Sequence, residues 1–235
     1  MDNHLEIIKR AYDKGIVEGR KGNGIHWSED LPEYIANDPE WPAYQKLLEA
    51  SVPTSGRAEV KDYLSPEKGM NFVDLGCCLN LRSRGYAKWP STYHGVDISP
   101  ETIKLLHEFV ERYNFSVGAL YCGGIHETPF EDNYFDIGTC IGVLEYFERD
   151  YIEKALIEAH RIIKPNGKFI IGEIPNITST FCRLYMMIEE YLERPVNFNM
   201  SLQEFEDMLK KYFTIENAEI VDGAMYGMYF LKCKK

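Results

Sequence analysis

No stretch of this 235-residue chain comes near the roughly 20 consecutive apolar residues that a membrane span needs. Basic residues are in short supply: 26 Lys and Arg face 37 Asp and Glu, for a net charge of −11. Phosphate contacts need clustered cations, so the balance argues against a broad nucleic-acid footprint, though not against a local basic patch. Neither nucleic acid nor a membrane is therefore expected as a partner. Six cysteines contain no C-x-x-C pair, and four of them fall inside apolar runs, as thiols of a reducing compartment do. The opening Met1-Asp-Asn-His-Leu-Glu lacks the marks of a signal peptide, and a cytoplasmic location is expected. No repeat, low-complexity segment or domain-parting linker is visible. The turn Gly76-Cys-Cys-Leu-Asn80 also lacks the G-x-G-x-x-G of a nicotinamide-dependent dehydrogenase, which argues against that activity.

What the chain does have is organised around residues 71–80, Asn-Phe-Val-Asp-Leu-Gly-Cys-Cys-Leu-Asn. The first half reads as a short buried strand, 71–76, ending on a turn glycine. A strand feeding such a turn opens a doubly wound α/β domain, where small residues let the backbone approach a nucleotide. Asp97, in Tyr93-His-Gly-Val-Asp-Ile98, follows about 20 residues later, where these folds place the carboxylate that holds a ribose diol. Each signal is weak alone; in order and correctly spaced they support each other.

Along the chain, Leu5, Ile8 and Tyr12 predict an amphipathic helix over 3–18. Gly15, Gly19, Gly22 and Gly24 break it into a loop ending at His26-Trp27, which is open to two readings, a lid or a plain surface loop. Asp38-Pro39 starts a second helix, 52–56 is a connector, and 57–64 a short helix. Residues 1–56 thus read as a helical appendage on a domain of residues 57–235. Strands are predicted at about 92–98, 115–122, 135–142 and 168–174, with helices between them. One helix stops at Lys164-Pro-Asn-Gly167, with the glycine suited to a left-handed turn. A helix at 179–192 dense in aromatic and Met residues lies within an insertion over 175–200, followed by the capping box Ser201-x-x-Glu204. Two strands, 213–221 and 225–232, close the chain around Asp222-Gly223.

Four blocks carry a resemblance: Phe72-Val-Asp-Leu-Gly-Cys77, His94-Gly-Val-Asp-Ile-Ser99, Thr128-Pro-Phe-Glu-Asp-Asn-Tyr-Phe-Asp136 and Ala159-His-Arg-Ile-Ile-Lys-Pro-Asn-Gly-Lys-Phe169. In that order they resemble the class I S-adenosylmethionine-dependent methyltransferases, in the small-molecule branch of the ubiquinone and menaquinone biosynthesis enzymes. The resemblance implies a Rossmann-like seven-stranded sheet in the order 3-2-1-4-5-7-6, one strand antiparallel. It implies S-adenosyl-L-methionine as cofactor. Gly76 and the backbone around Cys77 and Cys78 would face its methionine part, with Asp74 ordering that loop. Asp97 would take the ribose hydroxyls, Ile98, Gly124 and Ile125 would meet the adenine, and Cys140 would lie near the sulfonium. The family's motif continues with two further glycines where this chain has Cys78 and Asn80; Asn visits the left-handed region better than most residues. Gly124 replaces an acid near the adenine amino group, the loss of a hydrogen bond worth about 1 kcal/mol.

Methyl transfer from a sulfonium is an in-line displacement, in which a protein mostly aligns the reacting atoms. Should the acceptor need to lose a proton, His126, Glu145 and Tyr146 are the candidates that the resemblance puts at the rim of strands three and four. Each has a bland counterpart: His126 as a hydrogen-bonded loop residue, Glu145 as a helix-dipole acid. Cys77 and Cys78 read as space fillers, no third ligand sits at metal spacing, and no metal is expected. The aromatic helix at 179–192 is open to core packing, to roofing a substrate and to a homodimer contact. The leading expectation is methyl transfer to a small apolar or aromatic acceptor. The alternative is a degenerate member that binds cofactor or a protein partner without turnover.

Overall fold

The computed structural model describes residues 2–21, 31–50 and 58–235. The loop reaching His26-Trp27 and the connector at 52–56 lie outside the described residues. Among the described residues four helices precede the sheet: α1 (Asp2–Arg20), α2 (Glu33–Ala36), α3 (Trp41–Ala50) and α4 (Ala58–Leu64). Alternation then begins with β1 (Asn71–Leu75), α5 (Asn80–Ser83), β2 (Thr92–Asp97), α6 (Pro100–Tyr113), β3 (Leu120–Cys122) and β4 (Phe135–Ile141). It continues with α7 (Arg149–Ile162), β5 (Ile163–Pro175), α8 (Thr180–Tyr191), α9 (Leu202–Leu209), β6 (Phe213–Val221) and β7 (Tyr226–Cys233).

The strands form one seven-stranded sheet in the order β3-β2-β1-β4-β5-β7-β6, as the resemblance implied. β1 to β5 pair in parallel, and β7 runs antiparallel to both its neighbours. Side chains alternate across a strand, so a sheet covered on both faces must divide its apolar residues between two cores. It does so residue by residue. Val73, Phe169, Ile171, Tyr229 and Leu231 enter the core under α7 and α9, while Phe72, Ile170, Met228 and Phe230 enter the core under α6 and α8. This is why these strands read as near-continuous apolar runs.

The helices are punctuated by local chemistry. Ser99 caps α6, its hydroxyl accepting from the Thr102 N–H at 3.0 Å, Pro100 opens the first turn and Asn114 closes it at φ 52°. The predicted Ser201–Glu204 capping box is formed in both directions at the start of α9. Two local expectations are corrected. In Lys164-Pro-Asn-Gly167 the left-handed residue is Asn166, at φ 63°, and the segment is an irregularity inside β5, where its pairing with β4 shifts register. The third strand is only three residues long, Leu120–Cys122, and Gly118 before it packs so closely on the His94 ring that a side chain there would clash.

α1 is fastened along α6. Asp13 accepts from the Ser99 hydroxyl at 2.5 Å and from the Glu101 N–H at 3.4 Å, a carboxylate at a helix N-terminus, and Arg20 pairs with Glu108 at 3.1 Å. Ile8 and Tyr12 of α1 thereby face the C-terminal ends of the parallel strands. Among the described residues no helix is long and apolar enough to cross a membrane.

Candidate active site

Strand order reverses between β1 and β4, and open α/β sheets bind ligands outside the strand ends at such a point. A cavity of about 260 Å³ lies there. Its floor is the turn after β1. Gly76 sits at φ 74°, and a side chain on it would come within 2.1 Å of the Val143 Cγ2 atom, so the turn accepts only glycine. The N–H groups of Gly76 and Cys77 both donate to the Val96 carbonyl at 2.8 Å, tying the turn to β2.

Asp97 ends β2 on the cavity wall. Its carboxylate accepts from the Cys78 N–H at 2.8 Å and the Ser99 N–H at 2.9 Å. Burial pushes this carboxyl up to about 6, against the pull of those two backbone donors. Cys78 takes the left-handed backbone, φ 37°, that the sequence assigned to Asn80. Asn80 instead opens α5 and donates to Asp74 at 3.1 Å. Asp74 also accepts from Thr139 at 2.8 Å and Tyr93 at 3.0 Å, and burial raises its carboxyl above the usual range. The Asp74 side chain joins β1, β2, β4 and α5 beneath the cavity.

The opposite wall follows β4. Gly142 turns the chain at φ 74° into a single 3-10 turn, Leu144–Tyr146, which sets Glu145 and Tyr146 against the cavity. Tyr146 donates to Glu189 at 3.0 Å and accepts from Tyr12 at 3.2 Å, while Arg194 holds the other Glu189 oxygen at 2.8 Å. The Glu145 carbonyl accepts from the N–H groups of Asn197 and Phe198 at 3.1 and 3.0 Å. Burial holds the Glu145 carboxyl well above its usual range, with Glu173 and Glu189 adding to the rise.

Of the residues singled out in the sequence, Gly76, Cys78, Asp97, Ile98, Ile125, Glu145 and Tyr146 line this cavity. The rest are placed elsewhere. The Cys77 and Cys140 thiols are buried in the two cores, Cys77 leaving only its backbone in the turn after β1. Gly124 and His126 border an adjoining groove with Lys9 and Cys122, which shares Ile98 with the cavity. His126 leans on Tyr151, ring centroids 4.8 Å apart, its Nδ1 3.3 Å from the phenol oxygen.

Sequence reasoning passed over Tyr12 as a site residue, and Arg84, Glu173, Tyr185 and Glu189, all of which line the cavity. Glu173 left a signal: it is the one acid inside the apolar run Phe169-Ile-Ile-Gly-Glu-Ile174. The pairing of β5 with β7 shifts register between Ile171 and Ile174, and Glu173 sits there at φ 61°. Such an irregularity re-aims a side chain, here toward the cavity.

Comparison with known proteins gives the following. Residues 73–171 match a family model described as "Methyltransferase domain". The sterol 4-C-methyltransferase of Caenorhabditis elegans is 27% identical over 175 residues, 73% of this chain and 48% of that protein. The mitochondrial 2-methoxy-6-polyprenyl-1,4-benzoquinol methylase of Bos taurus is 34% identical over 92 residues, 38% of this chain and 27% of that one. This chain therefore spans about half the length of the first relative and about a quarter of the second. The crystal structure of geranyl diphosphate C-methyltransferase from Streptomyces coelicolor, solved with Mg2+, geranyl diphosphate and S-adenosyl-L-homocysteine, superimposes with a TM-score of 0.68. It is 14% identical and covers 98% of both chains, a likeness of fold.

Proposed function

We propose that this chain, whose residues 73–171 match a methyltransferase-domain model and whose sheet has the order β3-β2-β1-β4-β5-β7-β6, transfers a methyl group from S-adenosylmethionine to a small, partly apolar or aromatic acceptor. The observation that carries this reading is the Asp97 carboxylate, standing on the wall of a cavity at the reversal point of the sheet. The residues present fit the cofactor. Asp97 would hold the ribose hydroxyls, with Ile98 and Ile125 as apolar contacts for the adenine. The Arg84 Nη1 atom is buried without a hydrogen-bond partner among the described residues, and the side chain lines the same cavity. It would take the carboxylate of the methionine moiety, and the glycine-only turn at Gly76 leaves room for that moiety to pass.

The cofactor supplies a methyl group already activated on a sulfonium. The chain's own task is then to orient the acceptor and keep water out. Glu145 and Tyr146 stand where the acceptor would lie, and Tyr12, Tyr185 and Phe147 wall it off. α1 and α8 serve in this reading as the cover of the acceptor. The relatives' acceptors, a sterol and a polyprenyl benzoquinol by their names, agree with an apolar or aromatic body.

Titration calorimetry with S-adenosylhomocysteine tests the proposal. One site per chain is expected, and Asp97→Ala should weaken it at least tenfold. Absence of both heat and a melting shift at millimolar ligand would remove the reading.

A further inference from the structure

Glu145, Glu173 and Glu189 all line the cavity on the side of β4 and β5, across the reversal point from Asp97 on β2. Two of them have cationic neighbours: Glu189 pairs with Arg194 at 2.8 Å, and Glu173 lies 3.8 Å from Arg84. No such neighbour reaches Glu145. Among the described residues no Lys, Arg or His comes within ion-pair distance of it, although only 1% of its surface is exposed. Among the described residues its Oε2 atom has no hydrogen-bond partner, and the carboxyl meets its own backbone N–H and, through Oε1 at 3.4 Å, the Tyr185 hydroxyl. A buried carboxyl left this way is destabilising, and native structures keep such groups where a ligand completes them.

The backbone shows that the placement is built in. Two N–H groups fix the Glu145 carbonyl, and Glu173 holds a left-handed conformation at a sheet irregularity, a conformation unfavourable to any residue with a side chain. Both carboxylates converge on Gly142. A side chain there would come within 2.7 Å of the Glu173 Oε2 atom and 3.7 Å of the Glu145 Oε1 atom. Around them the wall is aromatic, from Tyr12, Tyr146 and Tyr185. The Tyr12 ring already carries a cation on its face, the Arg194 guanidinium at 5.6 Å.

The missing partner is thus a positive charge on an apolar or aromatic body. We propose that the methyl acceptor is a basic amine, its ammonium held by Glu145 and Glu173, and that Glu145 takes the proton the nitrogen sheds before it is methylated. The proposal rests on the methyltransferase reading above. The N–H proton passes to the Glu145 carboxylate, and the freed lone pair forms the N–CH3 bond as the carbon–sulfur bond of the donor breaks. The electron pair of that bond stays on sulfur, the product leaves as an N-methylammonium, and Glu145 returns its proton to solvent. Burial among other acids raises the proton affinity of Glu145 toward that of an amine, which makes the transfer less uphill.

The test uses the full chain, first titrated with S-adenosylhomocysteine to show a filled cofactor site. Benzylamine, tyramine and hexylamine are then titrated into that complex, each beside its neutral alcohol and its carboxylate counterpart, and the same compounds are offered with methyl-labelled S-adenosylmethionine. At least one amine should bind ten times tighter than its alcohol and be methylated at nitrogen. Glu145→Gln should bring the two within threefold while S-adenosylhomocysteine affinity stays within twofold. Glu173→Gln should narrow the gap as well, and it serves in place of the first variant should that one not fold. Filled cofactor sites in which no amine outbinds its alcohol overturn the proposal. So does a tenfold loss of S-adenosylhomocysteine affinity in Glu145→Gln, because the carboxylates would then serve the cofactor's own ammonium. Failure of S-adenosylhomocysteine itself to bind is a separate outcome: it removes the methyltransferase reading, and the amine with it.

Discussion

Asp97 and His94 stand three residues apart on one strand, and burial perturbs them in opposite senses. The Asp97 carboxyl, raised to about 6, is ionised at neutral pH and protonated just below that value. Ribose hydroxyls donate to the ionised form, so S-adenosylhomocysteine affinity should be flat above pH 6 and fall about tenfold per unit below it. Calorimetry across pH 4.5–8 checks this, and Asp97→Asn should show a weaker and flatter profile. His94 has the rings of Phe130, Tyr134 and Phe135 edge-on at 5.8, 5.5 and 5.2 Å, and neither ring nitrogen has a partner among the described residues. Burial lowers it to about 4. Between its ordinary value near 6.5 and 4, the unfolded chain binds a proton that the folded chain refuses. Stability attributable to His94 is therefore whole above about pH 6.5 and lost as pH falls, by up to about 3 kcal/mol. Urea midpoints measured against pH should fall less steeply below pH 6.5 in His94→Phe; equal slopes would contradict this account.

Among elements, the turn after β1 has little freedom. Gly76→Ala meets two obstacles, a positive φ and the 2.1 Å approach to Val143. A loss of about 1–3 kcal/mol in urea unfolding is expected, along with loss of S-adenosylhomocysteine binding. Adding Val143→Ala should return the steric part and leave the backbone part, and the double-mutant cycle separates the two. This element was legible in the sequence because its signals are local: Asn71 to Gly76 can be read without knowing what lies opposite. The start of α9 was legible for the same reason, a capping box needing only four consecutive residues. The loop after β3 was not. Gly124 and His126 were assigned by position; they border a groove that shares Ile98 with the cavity, and the direction in which a loop leaves the sheet is not written in neighbouring residues.

At the scale of the molecule, α1 comes from the start of the chain to close a cavity built by strands far along it, through Tyr12 on Tyr146 and the Arg194–Glu189 pair. Ligand binding should tighten both. At a hundredfold excess over its dissociation constant, S-adenosylhomocysteine is expected to add about 2.7 kcal/mol of stability. Amide hydrogen exchange should slow in α1 together with the turn after β1; slowing confined to that turn would show that α1 takes no part. The sequence by itself determined the doubly wound sheet, the strand order through its family motifs, and Asp97, since alternation along a strand and a short motif are both written in neighbouring residues. Only the tertiary structure decided the other half of the cavity. Tyr12, Arg84, Glu173 and Glu189 sit on separate elements, and local pattern reports which face of an element is apolar but not which faces meet. The aim of Glu173 into the cavity is set by the register shift against β7, a strand that the chain reaches only about fifty residues later.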